Sequence, residues 1–414
     1  MKNIFRRIIS ASLSPNVESE DVWQSLRVLV SFWTWKKGNA DIEVRQWFSR
    51  RYKTETVVTF NSGRSALFGI LRAYGIGKGD EVIIQAFTCV AVVNSVLWAG
   101  ASPTYVDIDS TYNLDCEDIE RHITKKTKAI IIQHTFGIPA QVKKLCAIAK
   151  KHHLYVIEDC AHALGATHED KPLGMFGNAA FFSFGRDKSL SSVWGGVAIL
   201  HDATQRQKDM LNDFYNAAPM PNAYWIMQQL IHPIAFAIIL PLYNVGIGKA
   251  LLVGLQKMKL LSYPVYPEEK RGERPLDFPS KYPNALASLI TLQLRKLDSY
   301  TKNRIVVARR YAQELPSSHF RVPLSITTEA AYLRYPVLVD DPISIIKYAK
   351  ARGILLGNWY HNVIDPSGVD FTRVGYVRGS CPHAESAACF MVNLPTRISN
   401  TEATIIIECL KSCI

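Results

Sequence analysis

Paired cysteines are missing from this sequence of 414 residues. Its eight cysteines are spread along the chain and none belongs to a CxxC pair, which removes the usual spacing of a zinc site or a thioredoxin-like redox site. Several lie inside apolar runs, where a thiol behaves as a small hydrophobic side chain. We therefore expect a reducing, cytoplasmic environment and no metal centre.

The sequence shows no internal repeat and no low-complexity tract, and we expect no secretory signal. The N-terminus, MKNIFRRIISASLSP, is basic and apolar but has neither a long apolar run nor a convincing cleavage site. Apolar residues make up 48% of the chain and charged residues 20%, which is typical of a globular protein. The length suggests two or three domains.

Positive charge is in excess, with a formal net charge of +12 at pH 7. This excess favours anionic partners, namely phosphorylated small molecules, nucleic acid or an anionic membrane surface. No helix-turn-helix, zinc-finger or RNA-recognition motif accompanies the charge, so we expect no nucleic-acid partner.

Seven short runs rich in strand-forming residues lie between residues 57 and 200. They read VVTF, EVIIQ, PTYVDI, KAIIIQH, LYVIED, AAFFSF and GGVAIL, and most are continuously apolar, as in strands buried on both faces. Helical patterns separate several of them, at 64–75, 88–100 and 141–153. Together they predict an α/β domain with a mainly parallel, seven-stranded sheet, whose ligands bind at the carboxyl ends of the strands.

The pattern of the chain divides it into four predicted parts. They are a basic and apolar N-terminal segment (1–40), the large α/β domain (41–212), an apolar insertion (213–276), and a long helix with a smaller α+β domain (277–414). Residues 214–248 contain no Asp, Glu, Lys or Arg. We expect a buried helical pair there, in the core or at a dimer contact. The alternative is a hairpin that touches an anionic membrane beside Arg6 and Arg7.

A small-residue turn, FNSGRSAL, connects a predicted strand to a predicted helix at 60–67. The backbone N–H groups of Gly63, Arg64 and Ser65 could hold a phosphate at the positive end of the helix dipole. An ordinary glycine turn with a serine cap has the same pattern, so this motif alone does not decide.

The stretch VIEDCAHALGA, at 156–166, contains a predicted strand that ends with acidic residues. Asp159 could pair with a protonated pyridine nitrogen, and the small Ala161 would let the ring lie flat. His162 could hydrogen-bond the phenolic oxygen of the same ring. A helix-capping aspartate and a core histidine are the alternatives.

A single lysine stands in the turn of FFSFGRDKSL, at 181–190. Lys188 could form a Schiff base with a pyridoxal cofactor while Ser183 donates to its phosphate, although a lone lysine in a turn is usually solvated. The order of phosphate turn, aspartate and Ser-x4-Lys, all at strand ends, is more specific than any one of them.

With these motifs the chain resembles the DegT/StrS family of PLP-dependent sugar aminotransferases, which have the fold-type-I, aspartate aminotransferase fold. The stretch GIGKGDEVIIQAFTCVAVVNSVLWAGASPTYVDID resembles that family as well. The resemblance implies pyridoxal 5′-phosphate (PLP) as cofactor, Lys188 as the Schiff-base lysine and Asp159 as the partner of the pyridine nitrogen. It also implies Ser183 and the 63–65 backbone as the phosphate site, His162 beside the ring, and a homodimer.

Three departures from that family stand out. Cys89 occupies the position of an aromatic residue that usually stacks on the cofactor. Arg64 replaces a common threonine, and either adds a guanidinium to the phosphate site or is solvated. The segment that normally reaches the neighbouring subunit's cofactor reads PSKYPNA here, where Lys281 or Asn284 could substitute.

The activity implied by the resemblance is transfer of an amino group from an amino acid, with glutamate expected, to a nucleotide-linked keto-sugar for cell-surface polysaccharide synthesis. A lysine at 188 favours aminotransfer over the sugar dehydration of relatives that carry histidine there. One alternative is a PLP-binding regulatory or accessory protein of an envelope-assembly complex. Another is a different PLP enzyme of this fold, such as a lyase.

Overall fold

The computed structural model describes residues 8–14, 16–315, 319–322 and 326–413, and Arg6 and Arg7 lie outside them. The helices are α1 (Ser19–Val30), α2 (Ala40–Tyr52), α3 (Gly63–Ala73), α4 (Val90–Ala99), α5 (Val142–Lys151), α6 (Gln205–Ala217), α7 (Ala223–Ile239), α8 (Ile247–Lys257), α9 (Asn284–Leu294), α10 (Leu297–Glu314), α11 (Pro342–Ala351), α12 (Pro382–Phe390) and α13 (Asn400–Lys411). Short 3₁₀ turns lie at Phe32–Thr34, Ile119–His122, Thr135–Gly137 and Glu269–Arg271.

Nine strands are longer than two residues in the described chain. They are β1 (Thr56–Phe60), β2 (Glu81–Gln85), β3 (Ser102–Val106), β4 (Thr127–Gln133), β5 (Tyr155–Asp159), β6 (Ala179–Ser183), β7 (Gly196–Leu200), β8 (Arg334–Leu338) and β9 (Met391–Pro395). Two-residue strands pair Ile9–Ser10 with Ile354–Leu355, Thr88–Cys89 with Ile364–Asp365, and Thr167–His168 with Lys171–Pro172.

The first seven of these strands form one sheet in the order β1-β7-β6-β5-β4-β2-β3. Every neighbouring pair is parallel except the two made by β7, which runs antiparallel to β1 and β6. The predicted mainly parallel, seven-stranded sheet is therefore confirmed, and each predicted run supplies one of its strands.

Helices cover both faces of this sheet, which is why most of its strands have continuous apolar runs. On one face Ile84, Ile131 and Ile157 pack with α3 and α4. On the other face, Phe182 and Val197 pack with α2, α7 and α9. Because both faces are dry, the carboxyl edge of the sheet is the place where polar side chains can meet a ligand.

A smaller unit follows α10. Its strands β8 and β9 are antiparallel and pack with α10, α11 and α13 around Val337, Val392 and Ile406. This agrees with the predicted smaller α+β domain. The predicted boundaries themselves stay a prediction, and α6 continues across the one between residues 212 and 213.

One predicted helix, 284–315, is divided into α9 and α10. The chain leaves α9 at Arg295, and the Lys296 amide donates to the carbonyl of Gln293. The side chain of Lys296 then forms ion pairs with Glu18 and Glu20 of the N-terminal segment. The helical spacing of apolar residues continues through the break, so the sequence pattern did not reveal it.

The apolar insertion contains two helices, but only α7 is buried as expected, because α8 begins at Ile247 and is mostly accessible. In α7 the side chains of Trp225, Ile226 and Leu230 are buried in the core, whereas α8 packs only one of its faces on α7. Among the described residues, no helix combines the length and the apolar character needed to cross a bilayer.

Candidate active site

A pocket of about 400 Å³ lies at the carboxyl ends of β5 and β6 and the start of α3. Eight of the nine predicted site residues line it, namely Gly63, Arg64, Cys89, Asp159, Ala161, His162, Ser183 and Lys188. The ninth, Ser65, does not. Its hydroxyl is buried and donates to Oδ1 of Asn61 at 2.8 Å, so only its backbone belongs to the turn.

The start of α3 offers unused hydrogen-bond donors. Oγ of Ser62 accepts from the Ser65 amide at 3.2 Å, which caps the helix. The amides of Gly63 and Arg64 have no acceptor in the described part of the chain. A Cβ on Gly63 would lie 2.9 Å from Cβ of Ser183, so only glycine lets the helix begin against β6. Two free amides and the Ser183 hydroxyl therefore meet at a positive helix end.

Arg64 points its side chain away from this turn. Its guanidinium pairs with the buried carboxylate of Glu269 and donates to the carbonyl of Pro264 at 3.0 Å. It also lies over the ring of Trp194, 4.9 Å from the centroid. The side chain is thus neither solvated nor unpaired, and its backbone amide is the group left for a phosphate.

Asp159 is buried at the end of β5, with only 3% of its surface exposed. One carboxylate oxygen accepts from the amide of Ala161 at 2.9 Å, and the other has no partner among the described residues. Burial raises the pKa of Asp159 to about 6, while the nearby Lys188 opposes that shift. A cation placed against the free oxygen would be strongly favoured.

The neighbouring Glu158 points into the protein, where Cys160 and His134 lie close to it. Its two oxygens accept from the amides of Gly174, Phe176 and Gly177 and from Nε2 of His134. These bonds use the lone pairs that a metal ion would need. Glu158 therefore fixes the end of β5 and thereby the position of Asp159.

Lys188 is half-buried in the turn after β6. Its carbonyl accepts from the side chain of Asn16 at 2.6 Å, which holds the turn. Nζ has no hydrogen-bond acceptor within the described residues and lies 5.2 Å from the ring centroid of Trp359. Burial lowers the pKa of Lys188, although Cys89 and Asp159 act in the opposite direction. A larger fraction of the amine is consequently neutral and nucleophilic.

His162 is neutral in this site. Its Nδ1 accepts from the amide of Phe136 at 3.2 Å, so the proton is on Nε2, which lies 3.4 Å from the hydroxyl of Tyr360. Burial, Lys188 and Arg334 together hold its pKa well below the usual value. His162 can therefore donate, but not accept, a hydrogen bond at Nε2.

The sequence did not reveal the residues that the smaller unit contributes. Trp359 stacks on the ring of His162 at 5.6 Å and 11°, and the guanidinium carbon of Arg334 lies 3.5 Å from the Trp359 ring centroid. Arg334 is buried, its guanidinium has no hydrogen bond in the described part of the chain, and Asp187 is 3.9 Å away. The strand Ile364–Asp365 pairs with Thr88–Cys89, and this pairing brings the segment that contains Trp359 to the pocket.

The two candidates for a cross-subunit role already have partners in their own chain. Nζ of Lys281 donates to the carbonyl of Asn216 at 3.1 Å. The amide of Asn284 donates to Thr34 at 2.8 Å and accepts from Ala40 at 3.0 Å. Lys281 has further donors to offer, whereas both ends of Asn284 are used.

Comparison with known proteins gives partial and full-length matches. A GDP-perosamine synthase of Escherichia coli O157:H7 is 38% identical over 177 residues, which are 42% of this chain. This chain spans about half of that protein, 49% of its length. A pleiotropic regulatory protein of Geobacillus stearothermophilus is 29% identical over 384 residues, which are 91% of this chain and 87% of that protein.

Similarity of structure extends over nearly the whole chain. The X-ray structure of S. venezuelae DesV superposes with a TM-score of 0.72 at 23% identity, covering 95% of this chain and 94% of that one. This likeness confirms the predicted fold. The sequence profile of the DegT/DnrJ/EryC1/StrS family matches residues 15–223 and 256–411, which is most of the sequence. The chain belongs to the DegT/DnrJ/EryC1/StrS aminotransferase family.

Proposed function

We propose that the protein is a PLP-dependent aminotransferase that moves an amino group from an amino acid to a nucleotide-linked keto-sugar. The observation that carries this proposal is the convergence, in one pocket, of free helix-start amides, a buried aspartate with an unused oxygen and a lysine with a lowered pKa. Membership of an aminotransferase family supports the reaction class.

The pocket fits the three functional groups of PLP. The amides of Gly63 and Arg64 with Ser183 suit the phosphate, the free oxygen of Asp159 suits the pyridine nitrogen, and Lys188 suits the aldehyde. When bound, PLP supplies an electron sink that stabilises negative charge at the substrate carbon. Gly63 and Ala161 leave room for it, whereas the small Cys89 stacks less well than the usual aromatic residue.

Lys188 is the proton carrier in this proposal. Its Nζ has no hydrogen-bond acceptor among the described residues, and burial lowers its pKa, which increases the neutral fraction of the amine. The amine can therefore take a proton from the substrate carbon and return it to a neighbouring atom. Asn16 donates to the carbonyl of Lys188 and Arg304 donates to the carbonyl of Ser189. These hydrogen bonds hold the backbone that carries the amine.

Asp159 and His162 hold protons rather than transfer them. The Asp159 carboxylate keeps a proton on a ring nitrogen, because a charge-assisted pair relieves its buried negative charge. Neutral His162 offers the N–H at Nε2 to an oxygen acceptor on the ring.

Positive side chains around the pocket support acidic substrates. Arg186 and Lys270 line it, and the guanidinium of Arg334, which has no hydrogen bond within the described residues, stacks on Trp359. Such groups favour a diphosphate on the acceptor and a second carboxylate on the donor, as in glutamate. Similarity to a GDP-perosamine synthase supports a nucleotide-linked acceptor, and similarity to a spore coat polysaccharide biosynthesis protein of Bacillus subtilis supports a role in cell-surface polysaccharide synthesis.

We propose a cytoplasmic location as well. All eight cysteines are unpaired, which is typical of a reducing compartment.

A PLP-binding regulatory protein is the second candidate. Similarity to a pleiotropic regulatory protein over 91% of this chain favours it, and so does the replacement of the stacking aromatic residue by Cys89. Such a protein would bind PLP at Lys188 without turnover.

Absorption spectra separate these functions. We expect glutamate to convert the imine band of the PLP-loaded protein into that of the pyridoxamine form, and a keto-nucleotide sugar to restore it. A regulatory protein would keep its imine band, and a lyase would release a product without an added amino group. Lys188→Ala should lose the borohydride-reducible adduct, whereas the exposed control Lys125→Ala should keep it. A reducible adduct in Lys188→Ala would place the imine on another lysine and contradict the assignment.

A further inference from the structure

A second cavity, of about 960 Å³, lies away from the active site, where α8 meets α11 and α13. Its apolar floor consists of Ile8, Ile9, Ile354, Leu355, Ile405 and Cys409. Its rim carries four cationic side chains, Lys249, Lys347, Lys350 and Arg352, against a single carboxylate, Glu408. An apolar floor under a basic rim suits an amphipathic anion.

The four cations are exposed, and none forms an ion pair within the described residues. Lys249 lies 5.3 Å from the ring centroid of Tyr243, and Arg352 stacks on Tyr348 at 3.4 Å, so both contact aromatic rings rather than acids. Lys347 and Lys350 are three residues apart on α11 and therefore share one face of that helix. Their charge is available to an external anion.

Apolar side chains extend outward beside this rim. On α8 and just after it, Ile247 is 59% exposed, Val253 49% and Met258 60%, while the opposite face packs on α7 through Leu251, Leu252 and Leu255. On α11, Ile343 is 79% exposed and precedes Lys347 by one helical turn. We call this set, with the four cations, the basic-apolar surface. Large exposed aliphatic side chains beside a cationic rim are typical of an interaction surface.

We propose that the basic-apolar surface docks on an anionic phospholipid bilayer. Lipid phosphates pair with the four cations at the rim of the cavity, and Ile247, Val253 and Met258 enter the headgroup region. A second copy of the chain fits less well, because a two-fold contact would bring two copies of this cationic surface together. Nucleic acid offers charge but no apolar partner for α8.

Cosedimentation with vesicles tests this proposal on the full-length, PLP-loaded protein. We expect binding to vesicles of equal phosphatidylglycerol and phosphatidylcholine at low salt, loss of binding at high salt, and little binding to pure phosphatidylcholine. Lys347→Glu with Lys350→Glu should weaken binding by roughly tenfold or more, since four unit charges are changed near the surface. Ile247→Ser with Val253→Ser should weaken it while leaving the charge unchanged.

The matched control is Lys125→Glu with Lys126→Glu, which changes the net charge equally at an exposed loop elsewhere. An equal loss of binding in the control, or a wild-type protein that stays in the supernatant, overturns the proposal. Displacement from vesicles by glycerol 3-phosphate would show a site for soluble phosphates instead. A change of oligomeric state in Ile247→Ser with Val253→Ser, without vesicles, would make α8 a subunit contact, and RNA binding at this surface would equally contradict the bilayer.

Discussion

The charged form of Asp159, which the proposed activity needs, lowers the stability of the folded apoprotein. Burial raises the pKa of Asp159 from 3.8 to about 6. Between these two pH values the folded apoprotein holds a proton on Asp159 that the unfolded chain has released. Stability from this group is therefore highest below pH 4 and is lost as the pH rises through 6, by about 3 kcal/mol at most. In the proposed function this cost is offset, because the charged carboxylate would pair with the protonated ring nitrogen of PLP.

Asp159→Asn should separate the two effects. In the apoprotein the variant should become more stable than the wild type as the pH rises from 4 to 7, measured by urea unfolding. In the PLP-loaded protein it should lose turnover on the order of 10²-fold, because a neutral amide cannot keep the ring nitrogen protonated. The exposed Asp209→Asn serves as control. A stability difference that is constant with pH, together with wild-type turnover, would reduce Asp159 to a structural residue.

Local sequence motifs predict some residues of the site but not others. Lys188, Asp159 and Ser183 stand at strand ends in short motifs, so the sequence alone placed them in one pocket. Trp359 and Arg334 come from the smaller unit, and no local pattern predicts which of its side chains reach the sheet. The ion pair of Arg64 with Glu269 depends in the same way on the path of a distant loop.

At the scale of elements, the start of α3 has no room for a side chain at its first residue. A Cβ on Gly63 would lie 2.9 Å from that of Ser183, and must displace either β6 or the helix end. We expect Gly63→Ala to weaken PLP binding by roughly tenfold or more, since the two free amides must move. Gly254→Ala in α8 is the control, because its Cβ would meet nothing within 4 Å.

Titration of the apoprotein with PLP, followed by absorbance, measures both affinities. The control variant should keep the wild-type affinity and gain up to about 1 kcal/mol of helix stability. Equal affinities for Gly63→Ala and the wild type would remove α3 from the phosphate site.

Sequence patterns predicted the strands of the main sheet but not the break between α9 and α10. All seven strands of the main sheet were predicted, because burial on both faces leaves continuous apolar runs between polar turns. The division of 284–315 into α9 and α10 was not, because Arg295 and Lys296 are good helix formers and the break is stabilised by contacts to Glu18 and Glu20.

At the scale of the whole molecule, we expect a homodimer whose interface completes the active site, as family membership suggests. Sedimentation at micromolar concentration should give twice the mass of one chain. Lys281→Ala should lower PLP affinity in that dimer if this residue reaches the neighbouring pocket, whereas Lys126→Ala should not. A fully active monomer would contradict the expectation.

The N-terminal segment contacts both the basic cavity and the turn that carries Lys188. Ile9–Ser10 adds a strand to Ile354–Leu355 beside the basic cavity, and Asn16, a few residues later, binds the carbonyl of Lys188. If both proposals hold, we expect the occupancy of the basic-apolar surface to affect the backbone position of Lys188, so that vesicle-bound protein differs in turnover from the same protein in free solution.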